Sequence, residues 1–120
     1  MTEEAQQKVD FNSLVAGLAA SAIAVLSQVE VLLDPSAPTA AGAADESQAR
    51  PLSTEEVRKR VSDGLTGARQ LIDTLAVLEE KTKGNLTDEE QQLMQTALSD
   101  LRIRFVSLSS RPIPEREEAG

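Results

Sequence analysis

The chain has 120 residues, room for one domain at most, and carries a formal charge of −8 with no cysteine and no histidine. That composition excludes a disulfide framework, a thiol nucleophile, thiolate or imidazole metal sites and a Ser-His-Asp triad. It also disfavours attraction to nucleic-acid phosphates or anionic lipid. Any chemistry would have to run on carboxylates, Lys or Arg alone, so the expectation is a non-enzyme with no cofactor, no metal site and no nucleic-acid partner.

Apolar residues make up 40% of the chain, but there are only two Phe, no Tyr and no Trp. A core of Leu, Val and Ala is thin, and self-association is the usual remedy for a small chain of this kind. The N-terminus, MTEEAQQKVD, is acidic and lacks the basic region and apolar run of a secretory signal. Residues 1–9 are expected to be disordered and the protein cytoplasmic.

The first helix is predicted over residues 10–34. Asp10 or Asn12 offers the N-cap, a thirteen-residue apolar run from Leu14 to Leu26 follows with one Gly and one Ser as interruptions, and Asp34-Pro35 ends it. A helix apolar nearly all round is not a surface helix with one buried stripe. It sits at the centre of an assembly or meets a membrane. The window is long enough to span a bilayer, but Gln28, Glu30 and many alanines dilute it and no basic flank anchors it, so no membrane span is expected.

Residues 35–52, PSAPTAAGAADESQARPL, read as a flexible Ala/Pro linker. A helical hairpin is predicted over 53–111. Ser53 or Thr54 caps its first helix, with capping-box spacing from Ser53 to Glu56. Val57, Val61, Leu65, Ala68, Leu71, Ile72, Leu75 and Leu78 then recur in steps of three and four to about Lys83. Gly64 and Gly67 inside this helix each cost about 1 kcal/mol relative to Ala. A close crossing against Gly17, Ala20, Ser21 and Ala24 of the first helix would account for them, and a kink is the alternative.

The segment KTKGNLT, Lys81–Thr87, is the hairpin turn. Gly84 occupies a C′ position and Thr87 opens the next helix with a Thr-x-x-Glu capping box. In that helix Leu93, Met94, Ala97, Leu98, Leu101, Phe105 and Leu108 share a face. Asp88, Glu89 and Glu90 lie in the first turn, where the helix dipole favours negative charge, and Arg102, Arg104 and Arg111 towards the other end. Pro112 and Pro114 end it, and residues 112–120 are expected to be a disordered tail.

From LIDTLAVLEEKTKGNL to DLRIRFVSL the chain resembles a bacterial family of small proteins known as domain of unknown function 1844. The resemblance rests on Asp10-Phe11, Leu14 to Leu26, Glu80 to Leu86, Asp88 to Glu90, Asp100-Leu101-Arg102 and Arg104-Phe105, and spans about three-quarters of the chain. The chain departs from the family pattern in its longer Ala/Pro linker. The resemblance implies a small helical protein and no particular activity. A weaker similarity to RomX-type bacterial polarity proteins implies a regulator of a small Ras-like GTPase.

Candidate sites each have a plainer explanation. Asp88, Glu89 and Glu90 carry the residue type for a hard cation, but consecutive helical positions splay apart and capping explains them. Gly64-Leu65-Thr66-Gly67 matches the GxxG of nucleic-acid-binding loops but falls inside a helix. Asn85-Leu86-Thr87 is a chance glycosylation sequon. Lys81 and Lys83 offset a helix C-terminus. The expected interface is Leu14, Leu18, Ile23 and Leu26 of the first helix with Arg102, Arg104 and Phe105 of the third, because Arg and aromatic residues dominate hot spots. One of the two arginines is expected to pair internally. The fold class is therefore all-α, a hairpin plus an apolar N-terminal helix completed by oligomerisation or a protein partner. The function is expected to be a non-enzymatic interaction module, with GTPase regulation the alternative.

Overall fold

The computed structural model describes residues 9–34 and 52–114. These form three helices, α1 Phe11–Leu33, α2 Thr54–Lys81 and α3 Asp88–Ser109, with no strand among the described residues. The expectations for residues 1–8, for 35–51 and for 115–120 lie outside the described residues.

Each helix begins with a reciprocal capping box. The Ser13 amide donates to Asp10 Oδ1 at 2.8 Å while the Asp10 amide donates to Ser13 Oγ at 2.9 Å, which settles the first N-cap as Asp10. Ser53 and Glu56 exchange the same pair of bonds at 3.1 and 2.9 Å, as do Thr87 and Glu90. Each box satisfies two of the amides a helix start leaves without partners. Leu52, the last position of the expected linker, is buried instead. It precedes the Ser53 cap and Val57 lies at the fourth helical position, the two places of a hydrophobic staple.

The turn has the predicted chemistry. α2 ends at Lys81, its Thr82 cap donates its amide to Leu78 O at 3.0 Å, and the Asn85 amide donates to Thr82 O at 2.8 Å. Gly84 takes φ +87°, the left-handed region that a Cβ disfavours. A connection this short lays α3 antiparallel to α2.

The apolar N-terminal helix is the central element. α1 packs against both α2 and α3, more extensively than those two pack on each other. Val25 and Val29 of α1 lie beside Gly64 of α2, and Leu26 and Glu30 lie beside Ile103 to Leu108 of α3 and Arg111 just after it. α1 therefore runs antiparallel to α2 and parallel to α3. One core joins Val15, Ala22, Leu26, Val29 and Leu33 to Val57, Val61, Ala68, Ile72 and Leu75, and to Met94, Leu98, Leu101 and Leu108. Phe11, Phe105 and Ile113 pack at its edge, so the start of the expected C-terminal tail belongs to the fold.

The close crossing exists, but not where the small residues suggested it. A Cβ on Gly64 would stand 2.6 Å from Val29 Cγ2, whereas nothing lies within 4 Å of a Cβ on Gly17 or Gly67. Gly64 alone lets α2 approach α1, and it does so against β-branched valines. Gly17, Ala20, Ser21 and Ala24 instead face outward.

Candidate interaction surface

The core decides which side chains remain for a partner. Within α1, positions near Val15, Ala22, Leu26 and Val29 point inward, and the opposite side of the helix carries Ser13, Gly17, Ala20, Ser21, Ala24, Ser27, Gln28 and Val31, all exposed. No charged residue occurs from Phe11 to Val29. This outer face is thus uncharged for most of its length, with Leu14 44% and Val31 49% exposed near its two ends. By length and composition α1 could also cross a membrane: its best window has a mean hydropathy of 1.8 and 22% of it is buried.

The interface residues expected from sequence separate into two groups. Leu26 is 2% exposed and belongs to the core, while Leu18 and Ile23 are half-buried against it. Leu14 remains accessible. On α3, Phe105 is half-buried against the core and Arg104 Nε meets Asp100 Oδ2 at 3.3 Å. Arg102 is exposed and has no ion pair or hydrogen bond among the described residues. One arginine therefore pairs internally and one does not. Beside Arg102, Ile103 and Val106 are 66% and 60% exposed, an apolar pair one helical turn apart that the sequence reading passed over. The signal was present: Ile103 and Val106 are the apolar residues of that helix that fall off the Leu98–Leu101–Leu108 face.

Two grooves flank the C-terminal half of α1. The larger, of about 670 Å³, lies on the α2 side and is lined by Val25, Val29, Val31 and Leu32 together with Arg60, Asp63 and Gly64. The smaller, of about 210 Å³, lies on the α3 side, where Glu30 shares the lining with Ile103, Arg104, Ser107 and Arg111. Gly64 lies in the wall of the first, where α2 approaches Val29. Glu30 and Arg60 are both exposed, and neither makes an ion pair or hydrogen bond among the described residues. The other charges of α2 are largely satisfied locally: Lys59 reaches Asp63 at 2.9 Å and Arg69 reaches Asp73 at 3.9 Å.

No polar or charged side chain among the described residues is buried, and no three acidic residues among them converge on a point that could hold a metal ion. Asp88, Glu89 and Glu90 occupy the first turn of α3, where Glu90 closes the capping box.

A model of the family described as Domain of unknown function (DUF1844) matches residues 52–107. The match takes in α2, the turn and nearly all of α3, and leaves α1 outside. No curated protein and no solved structure matches the chain.

Proposed function

The chain belongs to the DUF1844 family over residues 52–107, a family of unknown function, and from its surface we propose a non-enzymatic protein–protein interaction module, a cytoplasmic scaffold or regulatory adaptor. One observation carries the reading: α1 is enclosed on one side by α2 and α3, while its other side is an uncharged helical face left to solvent. An uncharged face of small residues with Leu14 and Val31 exposed near its ends supports that reading, because another protein surface can approach it closely without desolvating a charge.

The same face could enter a bilayer, and the reading prefers a protein for two reasons. Five α1 residues are committed to the bundle core, and the helix carries Glu30 and ends at Asp34. A membrane span would leave the matching faces of α2 and α3 uncovered.

The test compares the wild-type chain with an Ala20→Glu, Ala24→Glu double variant, both immobilised and exposed to lysate of the native cell. Both positions are exposed, so the variant keeps its helicity by circular dichroism. A protein, this chain included, retained by the wild type and lost by the variant is expected. Identical retained sets, or wild-type sedimentation with membranes that the variant abolishes, would overturn the reading. A small GTPase in the retained set would turn the general reading into the alternative one, regulation of a Ras-like GTPase.

A further inference from the structure

Glu30 and Arg60 stand on opposite flanks of α1 at the same level of the bundle. Glu30 borders the α3-side groove and Arg60 the α2-side groove, and the α1 residues of the two grooves, 25–32 and 26–30, overlap. Between them the helix presents Ser27, Gln28 and Val31 to solvent. Neither charged group has a partner among the described residues, in a chain whose α2 charges are otherwise mostly paired.

A two-fold axis parallel to α1 and in front of its outer face reverses left and right without changing height. It brings the α3-side flank of one copy onto the α2-side flank of the other. We propose that two copies of this chain dock through the outer face of α1 in parallel, each Glu30 pairing with Arg60 of the other copy and each Val31 packing at the mouth of the other copy's Val25–Val29–Leu32 groove. This rests on the interaction-module reading and names its partner as a second copy.

Charge argues for that occupant. The chain carries −8, so two copies repel over most of their surfaces, and the uncharged α1 face is where they can meet without juxtaposing like charges. The two flanking pairs then fix the register. Exposed pairs add little affinity one at a time, but placed at a rim they select orientation. An antiparallel arrangement would bring α2 flank onto α2 flank, setting Arg60 on the Arg60 side, and α3 flank onto α3 flank, where Glu30 would meet Arg104 and Arg111 instead.

Sedimentation equilibrium at micromolar concentration tests it on the full chain. The wild type is expected at twice the chain mass of 12.8 kDa. Glu30→Arg and Arg60→Glu are each expected to weaken the dimer on the order of tenfold by setting like charges together twice, and the double variant to recover it. Both substitutions are at exposed positions, so helicity should not change in any of the three variants. The absence of cysteine allows a second measurement. Ala20→Cys and Val31→Cys, made separately, should each form a disulfide with itself under mild oxidation, because parallel helices place every seam residue beside its own copy.

A wild type at 12.8 kDa throughout, a dimer indifferent to both charge reversals, a double variant no better than the singles, or self-crosslinking at only one of the two cysteines would overturn the proposal. A monomeric wild type that still retains a foreign protein through Ala20 and Ala24 would leave the interaction-module reading standing, so the two failures are distinguishable.

Discussion

α1 and α2 are both long helices, and each buries five apolar residues in the same core. Their outward sides differ. α2 turns Arg58, Lys59, Arg60, Asp63, Arg69 and Asp73 to water, with i,i+4 pairs along that side, so its amphipathic pattern is complete within one chain except at Val77, which is 55% exposed. α1 turns Gly17, Ala20, Ser21, Ala24 and Val31 outward, and charge enters only at Glu30. Two helices can therefore contribute equally to a core while only one of them is finished as a surface helix. The segment that the family model matches is the finished one, and α1, which lies outside it, carries the uncharged face.

The sharpest way to break this comparison is to remove bulk from the inner side of α1 and from its outer side. Leu26 is 2% exposed between α2 and α3, so Leu26→Ala should cost about 3 kcal/mol, the transfer term plus the cavity. Val31→Ala, at 49% exposure, should change monomer stability by under about 0.5 kcal/mol. Urea midpoints of both variants, measured dilute enough to avoid association, check the pair. Equal losses would mean that α1 has no distinct outer side. The large loss expected at Leu26 follows from the one core that the three helices share, in which α1 is not a tethered accessory to the hairpin.

The next largest effect is at the crossing. Gly64→Ala gains about 1 kcal/mol of helix propensity, yet its Cβ would stand 2.6 Å from Val29 Cγ2. Valine is stiff at χ1 and this one is 1% exposed, so the overlap has to be relieved by moving α2 away from α1, at about 2 kcal/mol. A net destabilisation of about 1 kcal/mol is expected in thermal or urea melts. A net gain would mean that the helices separate without cost.

At the turn, Gly84→Val should lose about 1 to 2 kcal/mol, because φ +87° is strained for a β-branched residue. Thr87→Ala should lose about 1 kcal/mol with its cap bond to the Glu90 amide. Unchanged melting in both would mean that the capping chemistry of this turn contributes nothing to stability.

These turn features were legible in the sequence because they are local. Thr87-x-x-Glu90, Ser53-x-x-Glu56 and a glycine after a helical repeat specify backbone geometry within a few residues, and α2 ends within two residues of its expected place. The repeat of Val57, Val61, Ala68, Ile72 and Leu75 likewise named the buried side of α2, since a polar opposite side gives the pattern contrast. α1 offers no such contrast. An all-apolar helix does not reveal which side it will bury, so Leu26 was grouped with Leu14 although one is core and the other accessible. That Glu30 has no ion pair among the described residues, and its level relative to Arg60, depend on how α1 lies between α2 and α3, and no local spacing encodes that.

The smallest expected effect has the opposite sign and tests the same point. Gly64 and Gly67 are three residues apart in one helix and were indistinguishable by sequence, each explicable as a crossing or a kink. The structure separates them: Gly64 touches Val29, and a Cβ on Gly67 meets nothing within 4 Å. Neither has a positive φ. With no overlap to relieve, Gly67→Ala keeps only the propensity term and the reduced entropy of the unfolded chain, and should stabilise the protein by about 0.5 to 1 kcal/mol. Melting of the two alanine variants side by side should therefore move in opposite directions. If Gly67→Ala were also destabilising, the helix would need flexibility or a close neighbour at that position, and the assignment of the α1–α2 approach to Gly64 alone would fail.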